Sequence, residues 1–144
     1  MSVSQNEFSR KDIKMIKFST KTIGDKGEEY AVKYLKKHKC SIVARNYRQK
    51  YGEIDIIAEN KEYIIFVEVK TRHKNSMTKG LDAVDKRKQL RLIKTASAFL
   101  SENHIEKYCR FDVCEVYVNS DNLSLVKINY IEDAFVQEGD YAPY

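Results

Sequence analysis

Gly52-Glu53-Ile54-Asp55-Ile56-Ile57-Ala58-Glu59-Asn60-Lys61-Glu62-Tyr63-Ile64-Ile65-Phe66-Val67-Glu68-Val69-Lys70 is the stretch on which the fold turns. Residues 52–58 and 63–70 are rich in Ile, Val, Phe and Tyr, the composition of strands. The polar run from Glu59 to Glu62 between them is short enough for a tight hairpin. In the second run Tyr63, Ile65, Val67 and Val69 alternate with Ile64 and Phe66, so both faces are apolar. A strand covered on both sides belongs in the middle of a sheet. If Ala58 pairs with Tyr63, Asp55 lies opposite Phe66 and Glu68 is its diagonal neighbour. Parity then puts Asp55, Glu68 and Lys70 on one face, close enough for the two carboxylates to share a divalent ion.

Outward from the hairpin, residues 40–47 read as a further strand, and a helix precedes them. Gly27, Ala31, Tyr34, Leu35 and His38 recur at helical spacing in a segment running from Gly24 to about Lys39. Glu28 shares the apolar stripe of that helix, whereas Glu29 turns away. Residues 71–80 lack periodicity and read as a loop. Val84, Leu92, Ala96 and Phe99 form one stripe of a second helix over about 81–101, followed by strands at 110–118 and 123–130. A strand, a crossover helix and a further strand make a βαβ unit. The expectation is an α/β domain with a mixed central sheet flanked by helices, in the order αβββαββ. Residues 1–22 read as a basic N-terminal arm, 23–131 as the domain and 132–144 as an acidic tail.

A chain of 144 residues has the length of one domain. Its charged fraction of 33% and net charge of +5 point toward a polyanion. The three cysteines, Cys40, Cys109 and Cys114, are odd in number and none has zinc-site spacing, so a reducing compartment is the simplest reading. The longest apolar run is far too short to span a bilayer, and the first twenty residues lack a secretory apolar stretch. The expected location is the cytoplasm, with no membrane.

Two carboxylates on an apolar face repel each other and are costly to desolvate, which calls for a cation. Lys70 supplies one positive charge; Mg²⁺ or Mn²⁺ supplies more, and leaves positions for a phosphate and an attacking water. The bland alternative is that Glu68 and Lys70 face solvent at a frayed strand end. From Lys70 to Lys94 there are nine Lys or Arg residues against Asp82 and Asp85 alone. Among these, Arg72, Lys74, Arg87, Lys88 and Arg91 are candidates for contact with nucleic acid. Lys88 interrupts the apolar stripe and so should point toward the end of the sheet. Tyr47 and Tyr51, beside Arg45, Arg48 and Lys50, are minor candidates for base stacking, and His73 for a proton carrier.

Gly27-Glu28, the segments 52–58 and 66–72, Ala83-Val84 with Arg87-Lys88-Gln89, and Arg110-Phe111-Asp112-Val113 together resemble the YraN family. This is a group of bacterial proteins related to Holliday junction resolvases in the PD-(D/E)xK nuclease superfamily. The resemblance covers about residues 22–118. It implies a restriction-endonuclease-like core, metal ligands at Asp55 and Glu68, a catalytic lysine at Lys70 and an accessory acid at Glu28. The proline of the nominal superfamily motif is replaced by Ile54. The expected activity is metal-dependent hydrolysis of phosphodiester bonds in DNA, branched or junction DNA included. The alternatives are a nucleic-acid-binding module that does not cut, and an interaction protein in which the acids close a salt-bridge network with Lys70 and Lys88. Oligomeric state is left open, a homodimer included.

Overall fold

Ser19 starts the first helix: its backbone is extended and its hydroxyl accepts the Thr22 N–H at 3.1 Å, satisfying one of the donors that every helix start leaves open. In the computed structural model, which describes residues 17–76 and 84–135, this helix, α1 (Thr20–Lys37), is followed by β1 (Ser41–Gln49), β2 (Gly52–Glu59), β3 (Tyr63–His73), a single 3-10 turn (Lys74–Ser76), α2 (Lys86–Glu102), β4 (Tyr108–Val118) and β5 (Leu125–Phe135). Among the described residues no helix is long and apolar enough to cross a membrane.

The five strands form one mixed sheet in the order β1-β2-β3-β4-β5, which places β3 at its centre. Every neighbouring pair is antiparallel except β3 and β4, which run parallel with α2 in the connection between them. The sheet carries a core on each face. Ile64 and Phe66 of β3 pack with Leu92, Ala96 and Phe99 of α2. Ile65 and Val67 pack with Ala31 and Leu35 of α1. The alternation along β3 is therefore used in full, each buried aliphatic contributing about 1.5 to 3 kcal/mol relative to exposure.

Several boundaries differ from those read in the sequence. The hairpin pairs Ala58 with Ile65 rather than with Tyr63, a slip of two residues that preserves parity and brings Asp55 level with Glu68 instead of diagonal to it. Thr71, Arg72 and His73 belong to β3, not to a loop, because β4 pairs with them in parallel up to His73 and Val118. Helix α1 starts at Thr20, ahead of Gly24, within the stretch read as an arm; residues 1–16 of that arm lie outside the described residues. Helix α2 starts at Lys86 rather than near 81, since Asp85 caps it by accepting the Lys88 N–H at 2.8 Å. Strand β5 runs on to Phe135, which is buried against Phe111, so residues 132–135 of the expected tail are sheet. The remainder of that tail, 136–144, lies outside the described residues.

Candidate functional site

The pleat of β2 reverses phase at Asp55. Ile54 and Ile57 are three residues apart, yet both pack into the α2-side core, which strict alternation forbids. Opposite this point β1 carries Asn46 with φ of 51°, the left-handed region that Asn tolerates better than most residues. The ladder between β2 and β3 ends at Ile56 and Val67. Beyond it the Asp55 side chain turns into the gap between the strands and accepts the Val69 N–H at 2.8 Å.

Glu68 comes from the buried stretch of β3 and lies against Asp55. Asp55 is pushed up to about 7, first by burial and then by the charge of Glu68, with the Val69 N–H opposing both. Glu28 approaches from α1. It is turned inward while Glu29 is exposed, and burial raises its carboxyl above the usual carboxylate range. Its oxygens meet Arg45 at 3.6 Å. With its amide oriented to donate, Asn46 reaches Glu28 at 3.3 Å and Glu53 at 3.2 Å. Close packing of α1 on the sheet sets this position: a Cβ on Gly27 would stand 1.8 Å from Oγ1 of Thr71, so no larger residue fits there without displacing β3 or the helix.

An open cavity of about 470 Å³ is bounded by Gly52, Glu53, Asp55 and Glu68 on the sheet side and by Asp85, Arg87, Lys88 and Arg91 on the α2 side. Across it Lys88 Nζ contacts Glu68 Oε1 at 2.5 Å. The cavity thus has one acidic wall, drawn from β2 and β3, and one basic wall, drawn from the start of α2.

The site residues expected from sequence are distributed unevenly. Asp55, Glu68, Arg87, Lys88 and Arg91 share the cavity. Glu28 stands behind it. Lys70 is half-buried, one pleat beyond Glu68 and off the cavity wall. Arg72, expected at a nucleic-acid surface, instead donates from Nε to the buried carboxylate of Glu115 at 3.1 Å and is only 20% exposed. Lys74 is exposed in the 3-10 turn. His73 Nδ1 lies 2.9 Å from the Ser120 hydroxyl. Gly52-Glu53 stands beside Asp55 in the sequence, but nothing local marks Asn46 as the partner of Glu53.

The donor set is hard and oxygen-based. Among the described residues no three His, Cys, Asp or Glu side chains converge on one point, so a cation here would take Asp55 and Glu68 and complete its shell with water or a ligand oxygen. Mg²⁺ is held in that way, by one or two carboxylates, and the pair fits it. Burial, and after it the charge of Glu68, raise Asp55 toward neutrality, and a cation between the two acids would offset both costs.

An α/β protein with a divided acidic and basic cleft between the middle of its sheet and the start of α2 is the class that fold and site define. The chain belongs to the uncharacterised protein family UPF0102, whose pattern matches residues 27–116. It is 42% identical to the UPF0102 protein of Caldanaerobacter subterraneus subsp. tengcongensis over 122 residues, covering 84% of this chain and all of that one. It is 44% identical to the UPF0102 protein of Clostridium acetobutylicum over 116 residues, covering 80% and 94% of the two chains. A Clostridium botulinum UPF0102 protein is 42% identical over 120 residues, covering 82% and 97%.

Proposed function

We propose that this protein is a metal-dependent endonuclease that hydrolyses phosphodiester bonds in DNA, with a restriction-endonuclease-like core and a relationship to Holliday junction resolvases. The observation that carries this reading is the meeting of Asp55 and Glu68 in a cavity whose other wall is Arg87, Lys88 and Arg91. Carboxylates alone would repel a phosphodiester; the facing cations draw it in, so that the phosphate lies between the acids and the bases. Asp55 and Glu68 would hold Mg²⁺ or Mn²⁺. When bound, that ion supplies Lewis acidity toward a phosphate oxygen and lowers the pKa of a water. Asp55 is oriented for this by the Val69 N–H. Glu28, braced by Arg45 and Asn46, adds negative charge behind Asp55. Lys70, one pleat beyond Glu68 on β3 and off the cavity wall, would have to extend toward the phosphate to stabilise charge that develops on it.

The test is incubation of the purified protein with labelled duplex, four-way junction, flap and single-stranded substrates in Mg²⁺, Mn²⁺ or chelator. Metal-stimulated cleavage by wild type, lost in Glu68→Ala with binding kept, is expected. Absence of cleavage of every form ends the nuclease reading. The contact between Lys88 and Glu68 favours a second reading, a module that binds nucleic acid with its acids closed by an internal ion pair. Salt-sensitive binding without metal-stimulated cutting would select it.

A further inference from the structure

Two tyrosines, Tyr47 near the end of β1 and Tyr51 in the turn before β2, stand in different circumstances. Tyr47 is a packing residue: its ring meets Phe99 edge-on at 5.2 Å and its hydroxyl donates to Glu102 at 2.9 Å. Tyr51 packs against no other aromatic ring among the described residues and is 43% exposed. What surrounds it is cationic, with Lys50 Nζ 5.1 Å and Lys94 Nζ 5.7 Å from the ring centroid. Its neighbour Gly52 is a wall of the acidic cavity. Gly52 has φ of +157°, a conformation that L side chains rarely adopt, and a Cβ there would meet Thr95 at 3.4 Å and Arg91 at 3.6 Å. The turn is therefore seated on α2 against Arg91, which lines the cavity, with the Tyr51 ring beside Lys94 of the same helix. Leu90 of the same helix is 58% exposed and adds apolar surface.

A large ring left in water costs hydrophobic free energy, and lysines at its face and arginines on the adjoining rim suit phosphates on either side of a base. From this arrangement we infer that Tyr51 is a stacking platform for an unpaired base next to the phosphate held in the cavity, which makes the preferred ligand a polynucleotide with a single-stranded segment or an opened end. A base inside a continuous duplex has both faces covered and cannot use the ring. This rests on the proposed nucleic-acid site and adds to it the form of nucleic acid that is bound. The ring acts by position: it touches a base and takes no part in bond breaking.

The experiment uses the full chain with chelator, so that binding is read without cleavage. Fluorescence of 2-aminopurine is followed in three oligonucleotides: a single strand, a fork with the probe in the unpaired arm, and a blunt duplex. The wild type should quench the probe in the single strand and the fork. Tyr51→Ala should weaken binding to both on the order of tenfold and abolish the quench, while its affinity for blunt duplex stays unchanged. Tyr51→Phe should restore both signals, since it keeps the ring. If Tyr51→Ala binds and quenches like wild type, or loses duplex and fork binding equally, the platform is overturned and the nuclease reading stands. If wild type binds none of the three, both fall together.

Discussion

Two buried aspartates occupy the same sheet, and their surroundings differ in a way that separates scaffold from chemistry. Asp112 of β4 is 1% exposed and fully satisfied. Arg110 donates to it from two nitrogens at 2.9 Å, the Tyr130 hydroxyl at 2.6 Å and the Asp133 N–H at 2.9 Å. The Tyr130 hydroxyl is raised well above its ordinary range, by burial and by the Asp112 charge beside it. That cluster is complete, and a ligand could only disrupt it. Asp55 receives one backbone donor, faces another carboxylate and opens onto a cavity. A buried acid whose neighbours raise its proton affinity, beside a space large enough for a ligand, is the arrangement associated with function.

The largest effect expected from this contrast is on folding. Asp112→Ala removes the buried carboxylate that pairs with Arg110 and accepts from Tyr130 and the Asp133 N–H, and should destabilise the protein by about 3 kcal/mol or more in chemical denaturation. Asp55→Ala should be neutral or stabilising at pH 8, because it removes a charge that is badly solvated. Equal losses in the two variants would erase the distinction. Next in size is Gly27→Ala, expected to cost about 1 to 3 kcal/mol by forcing α1 off Thr71. Thr71→Ala in the same chain should recover most of the loss, and failure to recover would place the strain elsewhere than in that contact.

A smaller effect concerns pH. The folded pKa of Asp55, about 7, lies above its ordinary value of 3.8. The folded state therefore binds more protons than the unfolded chain between these values, and this group's contribution to stability is full below about pH 4 and lost as pH rises through 7. Wild type should lose several degrees of Tm from pH 4.5 to 7.5 relative to Asp55→Asn, on the order of the shift that one ionisable group gives in a domain of this size. Parallel Tm profiles for the two proteins would show that Asp55 ionises without penalty. The smallest effect is at Lys88, half-exposed while Glu68 is buried. Lys88→Ala should lower stability by less than about 1 kcal/mol and tighten Mn²⁺ binding roughly fivefold in calorimetry, since the metal no longer competes with an ammonium. Unchanged Mn²⁺ affinity would mean that the ion does not approach Glu68.

The features that could be read in the sequence are those set by local pattern. The two-faced apolar alternation of residues 63–69 placed β3 at the centre, and parity put Asp55 and Glu68 together. That grouping survived an error of two residues in register, because a slip of two keeps every side chain on its face. The break of alternation at Asp55 and Asn46 was invisible, since it depends on pairing between strands. The tie of Arg72 to Glu115 is hidden for the same kind of reason. Its partner Glu115 stands 43 residues away, and a parallel neighbour leaves no local trace. The turn of Lys88 toward the sheet is legible because a lysine within an apolar stripe is itself a local anomaly.

The parallel pairing of β3 with β4 also sets an order of assembly. Antiparallel β2 and β3 need only a short turn to meet, so contacts in the acidic half are near in sequence and close early. Arg87, Lys88 and Arg91 reach that half only when α2 docks across the crossover. During synthesis Asp55 and Glu68 leave the ribosome before those three cations do, and until α2 packs, the nascent hairpin carries their negative charge without its counterweight.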